Sequence, residues 1–186
     1  LFHPTSERSV IVVDELNFPS DISAVESHLK LRGLDPSVSM RKVKSDDGYT
    51  LTLEAIEETL TDDVAILMLP SVLYRSGQLL DLKKITEMAH AKGILVGFDL
   101  AHSAGAVPHQ LHNDEVDFAI WCHYKYMNSG PGNASGVFIH EKHLTDRDIP
   151  RFEGWWGTKK ETRFLMQPRF DPIDSADAWQ LSNAPV

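Results

Sequence analysis

Three places in this sequence put chemically competent side chains just after a β-branched or apolar run. The first is Phe98-Asp99-Leu100-Ala101-His102, where Asp99 closes the run 94–98. A carboxylate at the rim of a sheet is half buried and needs a cationic or donor partner. A protonated pyridine nitrogen is one such partner, and a helix cap is the plainer account. The second is the stretch from Trp121 to Gly132, in which Lys125 stands between Tyr124 and Tyr126 and a Gly-Pro-Gly turn follows. A lysine desolvated among aromatic rings can act as a nucleophile toward carbonyls, and glycines let backbone approach a ligand closely. The plainer account is a surface lysine before a hairpin. The third is Asn17-Phe18-Pro19-Ser20-Asp21. Phe18 can stack on a planar ring and Asp21 can orient a polar group on it, but Ser20 or Asp21 would equally cap a helix. Together, Asp99 and Lys125 suit two neighbouring cofactor anchors in one sheet.

The elements that must position these residues are short. Val10–Val13, Ser37–Val43, Val64–Leu69, Ile94–Phe98, Val116–Trp121 and Val137–His140 read as strands. Asp21–Leu31, Thr52–Leu60 and Leu82–Ala91 read as helices. Ile22, Val25 and Leu29 share one face of the first, and Gly33 lies just past its end. The run VAILML at 64–69 is continuously apolar, as a strand buried on both faces should be. Strands alternating with helices predict an α/β fold with a mainly parallel sheet, helices on both faces and right-handed crossovers. In such sheets ligands bind beyond the carboxyl ends of the strands, where all three places fall. After about residue 144 the pattern decays, so 145–186 reads as an irregular segment that lines a site or an interface.

The chain has 186 residues, of which 42% are hydrophobic and 24% charged, with a formal charge of −9. That composition supports a globular core. An acidic surface repels phosphate backbones, so nucleic acid is not an expected partner. Cys122 is the single cysteine, so no internal disulfide forms. No apolar run approaches the roughly 20 residues that cross a bilayer. The first residue is not Met and the last segment closes no element, so the chain reads as a fragment of a longer protein.

The motifs FPSD (18–21), SGQLLDL (76–82), GFDLAHSAGAVPHQLH (97–112), YKYMNSGPG (124–132), FIHEKH (138–143), FEGWWGT (152–158) and LSNAP (181–185) run nearly from end to end. With them the sequence resembles the kynureninases, within the fold-type-I, aspartate-aminotransferase-like enzymes that use pyridoxal 5'-phosphate (PLP). FDLAHSAG with YKYMNSGPG is the specific part, and FEGWWG followed by LSN separates kynureninases from cysteine desulfurases.

The resemblance implies a PLP enzyme that hydrolyses L-kynurenine or 3-hydroxy-L-kynurenine to anthranilate or 3-hydroxyanthranilate and L-alanine. Such a protein would be a cytoplasmic homodimer in tryptophan catabolism, the kynurenine pathway and NAD biosynthesis. It implies Lys125 as the covalent anchor of PLP and proton shuttle, Asp99 as the partner of the pyridine nitrogen, and Tyr124 as a donor to the phosphate. His102 would lie near the ring and its 3-oxygen, with Phe18 stacked on the ring and Asp21 close to it. Trp155 and Asn183 would complete the pocket at a dimer interface. Residues 1–144 would be part of the large PLP-binding domain and 145–186 an irregular segment of it. The early phosphate-binding segment and the C-terminal small domain would be absent, leaving the fragment inactive. His123 stands where the resemblance leads one to expect a small hydroxyl residue, and Asn133 and Ala184 replace a more usual Gly and Pro.

Other signals carry less. His140-Glu141-Lys142-His143 is one residue short of the HExxH spacing that puts two histidines on one helix face. His109, His112 and His102 read as loop histidines and no metal is expected. Asn133-Ala134-Ser135 matches a glycosylation sequon but adjoins the site. The rival enzyme is a cysteine desulfurase or aminotransferase of the same class. A desulfurase needs a nucleophilic cysteine on a mobile loop, whereas Cys122 closes a strand. A non-catalytic remnant is the rival of another kind, although Asp99 and Lys125 are both retained.

Overall fold

A computed structural model describes residues 1–184 of the chain. Six strands form one sheet: β1 (Val10–Asp14), β2 (Met40–Val43), β3 (Val64–Pro70), β4 (Leu95–Asp99), β5 (Phe118–Cys122) and β6 (Ser135–Ile139). Their order is β2-β1-β3-β4-β5-β6. All neighbours are parallel except β5 and β6, which form an antiparallel pair. The mainly parallel α/β fold expected from the alternating pattern is therefore present.

Helices cover both faces. α1 (Pro19–Leu31) turns Val25 and Leu29 onto Ile11, Val13 and Ile66. On the other face Ile56 of α3 (Leu53–Thr59) and Ile85 and Ala89 of α4 (Leu82–His90) pack against Val12, Leu67, Val96 and Phe98. Thr52 caps α3 by accepting from Ala55 N at 3.1 Å, and Asp81 caps α4 by accepting from Lys84 N at 3.1 Å. Gly97 is needed in β4 because the Phe118 ring of β5 lies over it. A Cβ there would meet that ring at 2.1 Å.

One strand is shorter than its pattern suggests. Residues 37–43 alternate, yet only Met40–Val43 joins the sheet, and Pro36–Ser39 forms a helical turn, α2. Local chemistry accounts for this. Asp35 Oδ1 accepts from Ser37 N at 2.9 Å, and Pro36 supplies a φ suited to the first helical position. Beyond β6 the described residues make three 3-10 turns and the four-residue helix α5 (Lys160–Arg163).

The order places β2 and β3 on opposite sides of β1. The chain steps from β1 to β2 on one side and then crosses back over β1 to β3 on the other, and a crevice opens beyond the carboxyl ends of the strands at this reversal.

Candidate active site

That crevice is a cleft of about 280 Å³. Its walls come from the segments that follow β1, β3, β4 and β5, and they include Phe18, Asp21, Asp99, His102, Tyr124 and Lys125.

Asp99 is the last residue of β4, paired with Pro70 on one side and Ile120 on the other. Its carbonyl accepts from Ser71 N at 2.8 Å, and its Oδ1 accepts from Ala101 N at 2.7 Å. No helix follows β4 for Asp99 to cap; its side chain instead closes the turn after the strand and still reaches the cleft. Asp21 lies in the first turn of α1 but does not cap it. The cap position is Phe18, and no side chain closes it. Asp21 Oδ2 is instead buried with no hydrogen-bond partner among the described residues. Burial, and then the charge of Asp99, push the Asp21 carboxyl well above the ordinary range, with Lys125 offsetting part of this. Asp14, at the end of β1, is fully buried with neither carboxylate oxygen bonded among the described residues, and burial pushes it up to about 6. Asp21 thus faces the charge of Asp99 within the cleft and that of Asp14 behind it.

The positive charge stands opposite. Lys125 Nζ lies 3.0 Å from His102 Nε2, 5.7 Å from the Tyr124 ring centre and 5.9 Å from that of Phe18. Burial, and then Lys125, hold His102 below its ordinary value, so its neutral ring can accept from the lysine. The turns that carry these two residues touch through Gly105. Its φ is +87°, and a Cβ would meet Tyr126 O at 2.7 Å. Tyr74, after β3, completes an aromatic rim. Its ring packs edge-on to Phe18 at 5.4 Å and lies 6.1 Å from His102. Sequence reasoning did not single out Tyr74, although it too follows a strand.

Trp155 and Asn183 do not line this cleft. Trp155 sits on the 3-10 turn Trp155–Gly157, where its Nε1 donates to Arg163 O at 2.8 Å and its ring meets Phe164 edge-on at 5.4 Å. Arg163 is buried beneath that turn. It donates to Trp156 O at 2.6 Å and to Thr158 O at 3.0 Å. Asn183 is exposed near the end of the described chain, and Pro185 of the LSNAP motif lies outside the described residues. Cys122 pairs with Ser135 inside the β5–β6 ladder. His109 and His112 turn to different partners, Ser103 at 2.8 Å and Glu141 at 3.3 Å. Among the described residues no group of three or more His, Cys, Asp or Glu is placed to hold a metal ion.

A family model described as Aminotransferase class-V matches residues 2–147. A kynureninase of Flavobacterium psychrophilum is 48% identical over 189 aligned positions, and one of Xanthomonas axonopodis pv. citri is 47% identical. Each alignment covers 100% of this chain and 44% of the relative. The chain thus spans less than half the length of the curated relatives it matches. Among solved structures, the cystine C-S lyase C-DES in complex with its product cysteine persulfide superposes with a TM-score of 0.78 at 19% identity, covering 96% of this chain and 46% of that one. A C-DES mutant with glycine covalently linked to the PLP cofactor gives 0.74 at 19% identity and the same coverage. At that identity the likeness is one of fold.

Proposed function

We propose that this chain, which belongs to the aminotransferase class-V family, forms the PLP-binding core of a kynureninase that converts L-kynurenine or 3-hydroxy-L-kynurenine into anthranilate or 3-hydroxyanthranilate and L-alanine. The observation that carries the cofactor reading is the Asp21–Asp99 carboxyl pair facing Lys125 across one aromatic-rimmed cleft. Two carboxyl groups that repel each other, one with a buried unbonded oxygen, fit a protonated ring nitrogen. The kynurenine reading rests on relatives 46–48% identical along the whole chain. Against a desulfurase stands Cys122, tied into a strand.

PLP, when bound, supplies the electron sink at the substrate α-carbon. The residues of this chain supply orientation and protons. Lys125 is the covalent anchor and, when free, the base that moves the α-proton. Asp99 and Asp21 hold a proton on the ring nitrogen. His102 accepts from the Lys125 amine and keeps it directed into the cleft. Phe18 covers a face of the ring, and Tyr124 donates to the phosphate. Trp155 and Asn183 serve a second copy of the protein, so that the working form is a homodimer with shared sites. The exposed Trp155, Phe164, Leu165 and Met166 support this, as an apolar surface that another subunit would cover. Residues 1–144 belong to the large PLP-binding domain and the rest to an irregular segment of it. No helix among the described residues is long and apolar enough to cross a membrane. We place the enzyme in the cytoplasm.

The test is a fluorescence assay for anthranilate with the complete protein, PLP and L-kynurenine. Signal that Lys125→Ala abolishes supports the reaction and the lysine. A protein that shows the PLP absorbance band but acts on neither kynurenine nor 3-hydroxykynurenine points to another class-V reaction. A band that survives Lys125→Ala refutes the site.

A further inference from the structure

Beneath the floor of the cleft runs a line of hydrogen bonds that the proposed reaction does not use. His109 Nε2 lies 2.8 Å from Ser103 Oγ, and Ser103 Oγ lies 2.6 Å from Ser71 Oγ. Ser71 Oγ in turn lies 3.3 Å from the carbonyl oxygen of Asp99, which also accepts from Ser71 N at 2.8 Å. Both serines are fully buried, so water does not compete for their hydroxyls. The far end is different. His109 is half-buried and forms part of the wall of a second cavity, together with Trp121 and Met127.

One order of protons uses all three contacts of this line, and it leaves only the 3.4 Å contact from Ser103 Oγ to Leu100 O unmade. A carbonyl oxygen can only accept, so the Ser71 hydroxyl donates to Asp99. Ser71 must then accept from Ser103, and Ser103 must accept from His109. The reverse order sends the Ser71 proton to Ser103 and leaves the longer contact to Asp99 unmade. Burial holds His109 below its ordinary value, so at neutral pH the ring carries one proton, and the chain requires it on Nε2. Three donors then point in series at one peptide carbonyl, and each strengthens the next.

We propose that His109, acting through Ser103 and Ser71, is a positioning residue that sets the turn after β4, and with it the Asp99 carboxylate and the His102 ring. Backbone bonds also hold this turn, among them Leu100 N to Ile120 O, Ala104 N to Leu100 O and Val107 N to Ser103 O, each at 2.8 Å, but among the described residues the Ser71 hydroxyl is the side chain bonded to the Asp99 carbonyl. Asp99 Oδ1 is committed to Ala101 N, and Ser103 N donates to Leu100 O within the turn itself. Removing the terminal donor leaves a buried serine oxygen short of a partner, and the serines can then rotate away from Asp99. Small errors in the placement of groups around a reacting centre are costly, and the loss of an outer partner of a metal ligand, the analogous case, typically costs about 10- to 100-fold.

This inference rests on reading the cleft as the PLP site. The experiment compares the complete wild-type protein with His109→Leu, His109→Gln and Ser103→Ala. The readouts are the PLP dissociation constant from the visible band, kcat, KM and thermal unfolding. Leu cannot donate, whereas Gln can donate from nearly the same place. We expect the Leu and Ala variants to bind PLP about tenfold more weakly and to lose about tenfold in kcat, with KM within about twofold of wild type. His109→Gln recovers most of both losses. If His109→Leu does not fold, Ser103→Ala and His109→Gln carry the comparison. In the cofactor-free protein, imidazole 15N NMR should show His109 protonated on Nε2. Unchanged constants in the Leu and Ala variants overturn the inference. So does a Gln variant as poor as Leu, or a neutral His109 protonated on Nδ1. A wild-type protein with no PLP band sinks the cofactor reading and this inference together, whereas a normal band with unaffected variants sinks the inference alone.

Discussion

The Lys125 amine stands 3.0 Å from His102 Nε2, although the two residues follow different strands. Burial and the lysine charge keep the imidazole neutral, and only a neutral imidazole can accept that bond. His102 therefore directs Lys125 only while it is unprotonated. Because its value is lowered, the acid limb of the activity profile should lie below pH 6.5. His102→Leu should lower kcat on the order of 100-fold and remove that limb. A Leu variant that keeps the wild-type acid limb would separate His102 from the lysine.

Asp14 is a buried acid whose carboxylate oxygens have no hydrogen-bond partner among the described residues, and its pH effect has a definite sign. Its folded value of about 6 exceeds the ordinary 3.8. The folded state therefore holds the proton more tightly, and stability is lost as pH rises from 3.8 through 6. Asp14→Asn should be the more stable protein above pH 6, by on the order of 2 to 3 kcal/mol. The advantage should vanish toward pH 4. Thermal unfolding of the two proteins at pH 4.5 and pH 8 measures this, and equal shifts at both would refute it.

Asp117, just before β5, shows the opposite sign. Burial alone would push its carboxyl up, but His143 and His90 at 2.8 Å, Val96 N at 2.7 Å and Lys142 at 3.0 Å hold it far below the ordinary range. Its contribution is therefore fully present above the ordinary carboxylate value of 3.8 and is lost only as pH falls through the depressed one. Asp117→Asn leaves two histidines and a lysine around a neutral amide. It should destabilise by about 3 to 5 kcal/mol at pH 7. Denaturant unfolding of the two proteins at pH 7 is the check, and equal stability would refute it.

Gly105 sets the distance between the turns that carry His102 and Lys125. A methyl group would meet Tyr126 O at 2.7 Å, and the φ of +87° disfavours any side chain. Gly105→Ala should cost about 1 to 3 kcal/mol in stability and weaken PLP binding more than tenfold, because the lysine turn must retreat. Equilibrium unfolding and the PLP dissociation constant read the two effects. Loss of stability with unchanged PLP affinity would show that the turns are not coupled through this contact.

Much of the fold was legible because parallel strands buried on both faces carry unbroken apolar runs, as at 64–69, and because Thr52 and Gly33 mark helix ends chemically. The strand read at 37–43 was too long because alternation outweighed the Asp35-Pro36 signal of a capped turn. Tyr74 follows β3, and the rule that located Phe18, Asp99 and Lys125 would have found it as well. No local signal points to the line from His109 to Ser71, since Ser71 and Ser103 meet only through the packing of two loops.

The sequence by itself determined which side chains stand at the ends of strands, because the backbone period and the apolar runs are local properties. Only the tertiary structure decided which of them face one another. Strand order is set by long-range packing. It brings Asp21 beside Asp99 and Lys125 beside His102, and it leaves Trp155 and Asn183 outside the cleft.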